Sequence, residues 1–262
     1  MLQRILTAVA ALVLLVPLVW FGGISFEIAI VGLVILAFLE IMQMANIRLK
    51  SPETIIGVVA TVGLALPERY YTYFRISPLL LLSLCSFLLL IITVFSENKF
   101  SFERVGVVTL GALYVGLGGH YVLSIRQFGF LEMLFTLMIT WVTDSGAYFV
   151  GRACGKRKLA PHISPNKTIE GSIGGVLLAV IFTLGFYMAY PVFHLDVVGV
   201  TFLGLSVSIA GQLGDLVESA LKRFYSVKDS GQLFPGHGGV LDRFDSTLFS
   251  VVACHLLLII LR

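Results

Sequence analysis

The chain has 262 residues, of which 58% are hydrophobic and 13% charged, with a net charge of +3. Soluble domains carry about 25% charged residues, so the polar groups here are too few to cover a water-soluble body of this size. Lipid must solvate much of the exterior, and no nucleic-acid partner is expected.

A membrane-crossing helix needs about 20 apolar residues. In chain order the candidates are 5–21, 26–46, 54–66, 78–95, 105–122, 130–150, 171–190, 197–217 and 246–261. Arg4 followed by apolar Ile5–Phe21 has the look of a signal peptide. The segments that follow are equally apolar, so it reads as the first span of a series. The stretch Thr54–Leu66 is short and stops at Pro67. The expected fold is an all-α, polytopic helical bundle of about nine transmembrane helices. It forms one membrane domain over 1–262, with N-terminal spans 1–125 of unassigned role and a catalytic part over 130–262. Cys85, Cys154 and Cys254 form no CxxC pair and read as small apolar fillers.

Lys and Arg mark the cytoplasmic side of a membrane protein. Placed on alternate connections, all of them fall on one side except Arg69, Arg75, Arg126 and Arg262. The N-terminus and two long polar connections, 151–170 and 218–245, are therefore expected to face the cytoplasm. Long irregular segments are usually functional, which directs attention to these two and to the helix ends that lead into them.

Asp215 closes an otherwise apolar span, and Glu218, Ser219 and Lys222 follow at helical spacing on one face. Asp242 and Asp245 are three apart at the entry to the last span and would also share a face if helical. The intervening Phe234-Pro235-Gly236-His237-Gly238-Gly239 supplies the glycines of a tight reversal. Carboxylates grouped with Lys222, Arg223, Lys228 and Arg243 suit a hard divalent cation and phosphate, because Mg²⁺ takes one or two carboxylates plus phosphate oxygens. Asp144 lies in an apolar helical pattern beside Ser145, Gly146 and Ala147. It is either a hydrogen-bonded interhelical residue or a member of the same site. Ser164 or Thr168 is placed to cap the next helix, whose N-terminus favours an anion, and Lys167 there suits a phosphate. The run Lys156-Arg157-Lys158 suits anionic membrane lipids.

Residues 219–245 resemble the CDP-diacylglycerol synthase (phosphatidate cytidylyltransferase) family. Ser219, Lys222, Arg223, Lys228, Asp229, Gly231, Phe234, Pro235, His237, Gly238, Gly239, Asp242, Arg243 and Asp245 stand in the family's register. The segments DSGAYFVGR, SPNKTIEGS and QLGDLVES extend the resemblance over roughly 130–262, with Ser145 and Asn166 where Thr and Lys are as readily expected. The resemblance implies transfer of CMP from CTP to phosphatidic acid, giving CDP-diacylglycerol and pyrophosphate. It implies one or two Mg²⁺ ions held by Asp215 and Asp242, then Asp245 and Asp144. Lys167, Ser164, Lys222, Arg223, Lys228, Asp229 and Arg243 would bind substrate, with His237, Gly238 and Gly239 shaping the turn. It also implies a homodimer in a prokaryotic inner membrane with the site facing the cytoplasm. The alternative is a cation- or proton-coupled transporter using the intramembrane aspartates.

Overall fold

A computed structural model describes residue 13 and residues 16–233 and 238–261. Span 5–21 therefore lies largely outside the described residues. The helices are α1 (Gly23–Met44), α2 (Pro52–Ala65), α3 (Glu68–Phe74), α4 (Pro78–Phe95), α5 (Phe102–Phe128), α6 (Phe130–Cys154), α7 (Ile169–Ala189), α8 (Val197–Phe224) and α9 (Leu241–Ile260). Among the described residues, seven of these are long and apolar enough to cross a membrane; α2, with 14 residues, is shorter. The chain is an all-α polytopic integral membrane protein. Its one sheet among the described residues is a hairpin of β1 (Lys158–Ala160) and β2 (Ser164–Thr168).

Packing divides the chain into two compact units. The first is Met1–Leu123 with Asp229–Asp242, and the second is Ser124–Lys228 with Arg243–Arg262. Most of the carboxyl-terminal part thus packs as one body, but the glycine-rich segment before α9 packs with the N-terminal helices.

In the first unit, helix ends are set by local chemistry. Ser51 caps α2 by accepting from the Thr54 amide, with Pro52 in the first turn, and Ser77 caps α4 at the Leu80 amide, with Pro78 following. Helix α2 stops at Pro67, which cannot donate to the preceding turn. A helix end in lipid must find partners for its last carbonyls. The Tyr71 hydroxyl donates to the Leu64 carbonyl at 3.0 Å, and His120 Nδ1 lies 2.8 Å from the Leu66 carbonyl. Burial pushes the Tyr71 phenol up to about 12. The short helix α3, not anticipated from the sequence, supplies Tyr71 and ends at Arg75, which sits in the left-handed region at φ 54°. Phe38, Met42, Leu89, Val108 and Val115 form the core, and α4 turns Leu79, Phe87 and Phe95 outward as a lipid-facing surface would.

The second unit is built on α6, α7 and α8, which pack against one another. Glycines on α7 admit the α6 backbone: a Cβ on Gly175 would stand 2.7 Å from the Thr143 carbonyl, and one on Gly171 would stand 2.6 Å from the Ala147 carbonyl. Small residues four apart are how helices approach closely where lipid removes the hydrophobic drive to associate. Buried hydroxyls tie the bundle: Thr143 donates to Ser208 at 2.8 Å and Thr140 to Ser250 at 3.0 Å. Phe135 fills the space between Phe182, Phe186 and Phe193. Cys85 and Cys254 are buried as expected of fillers, whereas Cys154, at the end of α6, is exposed.

Gly175→Val should therefore lower stability by about 1–3 kcal/mol, the usual cost of overpacking. Gly185→Ala, at a position with open space around its Cβ, should leave it unchanged or slightly raised. Thermal unfolding in detergent micelles compares the two.

Candidate active site

Helix α8 does not end at the membrane boundary expected near 217 but runs on to Phe224. Asp215, Glu218, Ser219 and Lys222 therefore lie on one continuous helix, at spacings that share a face. Asp215 is half-buried. Its Oδ2 lies 2.5 Å from Lys167 Nζ, and its Oδ1 accepts from the Ser219 hydroxyl at 3.3 Å. Lys167 comes from the hairpin. In place of the irregular loop expected over 151–170, β1 and β2 pair antiparallel, Lys158 opposite Thr168 and Ala160 opposite Ser164. Thr168 then caps α7, accepting from the Gly171 amide at 3.1 Å. Ser164, the other capping candidate, sits within the strand instead. Glu170 accepts from the backbone amides of Lys156 and Arg157, and Arg223 Nε donates to the Ile163 carbonyl at 3.2 Å. The hairpin is thus pinned at its base by α7 and at its turn by α8, which fixes Lys167 over Asp215.

Two further aspartates of the second unit reach this place. Asp144 on α6 and Asp245 on α9 each lie within electrostatic range of Asp215. Lys167 acts on Asp144, and Lys222 acts on Asp245. Lys222 pairs with Glu218, which is 0% exposed. A buried carboxylate needs such a partner, so Glu218 is as much part of the cluster as the residues the sequence singled out. The balance is acidic: Asp144, Asp215 and Asp245 stand against Lys167, with Lys222 shared with Glu218. Like charges in a weakly screened environment repel unless a cation joins them.

Asp242 belongs to the first unit. Its Oδ2 accepts from the Ser230 amide at 2.8 Å, the Ser230 hydroxyl at 2.9 Å and the Gly239 amide at 2.8 Å. Asp242 and Asp245 are one helical turn apart yet take different partners, since Asp245 Oδ1 accepts from the Ser246 amide. Gly238, at φ +83°, makes the reversal into α9. Lys228, Asp229 and Arg243 are exposed, and His237 lies outside the described residues.

A residue the sequence reading passed over holds this segment. Glu40, on α1, is 6% exposed and accepts from the Val240 amide at 2.8 Å, the Leu241 amide at 2.9 Å and the Ser230 hydroxyl at 2.8 Å. The available signal was a carboxylate deep in an apolar span, which is costly and rarely idle.

Among the described residues, no three acidic, histidine or cysteine side chains are grouped closely enough to cage a metal ion by themselves. All donors present are carboxylate oxygens, the type Mg²⁺ prefers, and Mg²⁺ commonly completes its shell with water and substrate phosphate. The donor set fits that ion carried with a phosphorylated substrate.

The chain matches the cytidylyltransferase family over residues 2–261. It is 42% identical over 266 residues to the phosphatidate cytidylyltransferase of Bacillus subtilis (strain 168), covering 98% of this chain and 97% of the relative. It is 41% identical over 260 residues to that of Staphylococcus aureus (strain COL), covering 98% of each. To one from Staphylococcus epidermidis it is 40% identical over 256 residues, again over 98% of each chain. The transporter alternative finds no support in these similarities. The match runs through both units: this chain is an enzyme of the cytidylyltransferase family.

Proposed function

We propose that the protein is a phosphatidate cytidylyltransferase of phospholipid biosynthesis, working at the cytoplasmic face of the cell membrane with CTP, phosphatidic acid and Mg²⁺. The observation that carries the reading is the cluster of Asp144, Asp215 and Asp245 with Lys167, on a chain whose relatives bear that name from end to end. The side favoured by its Lys and Arg residues is also the side that carries the two polar connections, as the positive-inside rule requires of a cytoplasmic surface.

One substrate is anchored in the bilayer and the other is dissolved in water, so the reacting atoms have to meet where helix ends reach the headgroups. An anionic oxygen of the phosphatidate phosphate attacks the α-phosphorus of CTP. A new P–O bond forms, the bond from the α-phosphorus to the bridging oxygen breaks, and pyrophosphate leaves with the electron pair. The attacking oxygen already carries charge near neutral pH, so no side chain has to remove a proton. What remains for the protein is positioning and charge. Asp215 and Asp242, with Asp245 and Asp144, are the proposed ligands of Mg²⁺, which when bound offsets the charge on the phosphate oxygens. Lys167 is held over Asp215 and meets phosphate with its ammonium already placed. Lys222, Arg223 and Lys228 add positive potential along the end of α8, and Ser164, Asp229, Arg243 and the turn of His237, Gly238 and Gly239 complete the proposed substrate contacts.

Purified protein given labelled CTP, phosphatidate and Mg²⁺ should place the label in the lipid phase, and a chelator should stop it. Unlabelled lipid under those conditions would contradict the reading. Asp215→Asn and Asp242→Asn should each cost about 100-fold or more in kcat, as loss of several kcal/mol of charge stabilisation would. Normal turnover in either, at saturating Mg²⁺, removes that residue's metal role. The two lysines should separate by what they touch. Lys167→Met should raise the KM for CTP and lower the melting temperature less than Lys222→Met does, because Asp215 is half-buried where Glu218 is fully buried. Lys222→Met should destabilise the fold, by about 3–5 kcal/mol, because the fully buried Glu218 loses the ammonium it pairs with.

A further inference from the structure

We infer that Glu40 is a positioning residue of the reaction: from the N-terminal helix α1, it fixes the conformation of the segment that carries Asp242. This inference rests on the metal role proposed for Asp242. Nothing in the motif itself includes Glu40, which lies 190 positions from Ser230 in the chain.

The geometry assigns each of its oxygens. Oε1 accepts from the Val240 amide, and Oε2 accepts from the Leu241 amide and the Ser230 hydroxyl. Leu241 is the first residue of α9, so these amides are the unpaired donors that every helix N-terminus presents. A carboxylate there satisfies them and matches the positive end of the helix dipole. Ser230, meanwhile, gives its amide to Asp242, and its hydroxyl contacts both carboxylates. With Oδ2 of Asp242 taken up by Ser230 and Gly239, the direction in which the rest of that carboxylate points is fixed by Ser230, and Ser230 is fixed by Glu40.

Two glycines of the motif are explained by the same carboxylate. A Cβ on Gly231 would stand 2.5 Å from Glu40 Oε1, and one on Gly239 would collide with both Glu40 oxygens and with the Ser230 hydroxyl. The segment is thus shaped around a buried acid supplied from far along the chain. Glutamine at position 40 keeps the size but offers one accepting oxygen, so an amide NH₂ would confront a backbone N–H. The segment has to shift, and Asp242 with it.

Glu40→Gln should speed hydrogen exchange at the amides of residues 239–242 by about tenfold or more, with exchange in α7 unchanged. The Mg²⁺ concentration for half-maximal turnover should rise about tenfold, as when a residue supporting a metal ligand is lost. Gly231→Ala should reproduce both effects, and serves alone if Glu40→Gln does not fold. Faster exchange with the wild-type Mg²⁺ midpoint would reduce Glu40 to a structural role and overturn the inference, as would exchange at the wild-type rate. Normal turnover in Asp242→Asn would instead sink the metal reading. An inactive Asp242→Asn beside a Glu40→Gln enzyme with an unmoved midpoint would sink the role of Glu40 alone.

Discussion

Carboxylates at the ends of membrane helices carry a cost that the rest of this molecule is arranged to offset. Two unit charges 4 Å apart interact by about 4 kcal/mol at the effective dielectric near a protein surface, against about 1 kcal/mol in water. In the second unit, Asp144, Asp215 and Asp245 lie within electrostatic range of one another, and Glu218, one turn along α8 from Asp215, is fully buried. Lys167 and Lys222 offset part of that charge. The hairpin carries the first of these lysines, and the extension of α8 past the apolar boundary carries the second. The remaining negative excess favours a cation, which is the role proposed for Mg²⁺ there.

The first unit solves a related problem by hydrogen bonding rather than by ion pairing. Glu40 and Asp242 are satisfied by backbone amides and by one shared serine hydroxyl. Amide donors hold a carboxylate in direction as well as in place. The glycines of the motif are the counterpart of this arrangement: two of them are absences of side chain where the Glu40 carboxylate sits. Helix α1 is thus tied through buried Glu40 to the segment that carries Asp242.

Much of this was legible in the sequence, for identifiable reasons. Apolar runs of helix length report membrane spans because lipid punishes any exposed polar backbone, and α4 begins and ends at the residues the hydropathy marked, Pro78 and Phe95. Asp215, Glu218, Ser219 and Lys222 could be put on one face because helical spacing is local information. Thr168 as a cap is local too. The hairpin over 158–168 was not legible: its strands are three and five residues long, with no alternating apolar pattern to mark them. Nor were the separate partners of Asp242 and Asp245, since spacing along a helix says nothing of which neighbours each side chain finds. Glu40 escaped for the same reason. Its partners lie about 200 residues on, and no periodicity connects them.

The central claim is that the aspartate cluster on α6, α8 and α9 holds a divalent ion together with substrate phosphate. Mn²⁺ is spectroscopically visible and of similar ligand preference, so titrating it into detergent-solubilised protein by electron paramagnetic resonance tests this directly. The account predicts that free Mn²⁺ signal is lost on adding protein together with a non-hydrolysable CTP analogue, beyond what the analogue alone removes, and that Asp215→Asn abolishes the difference. Equal Mn²⁺ uptake by the wild-type and Asp215→Asn proteins would contradict it.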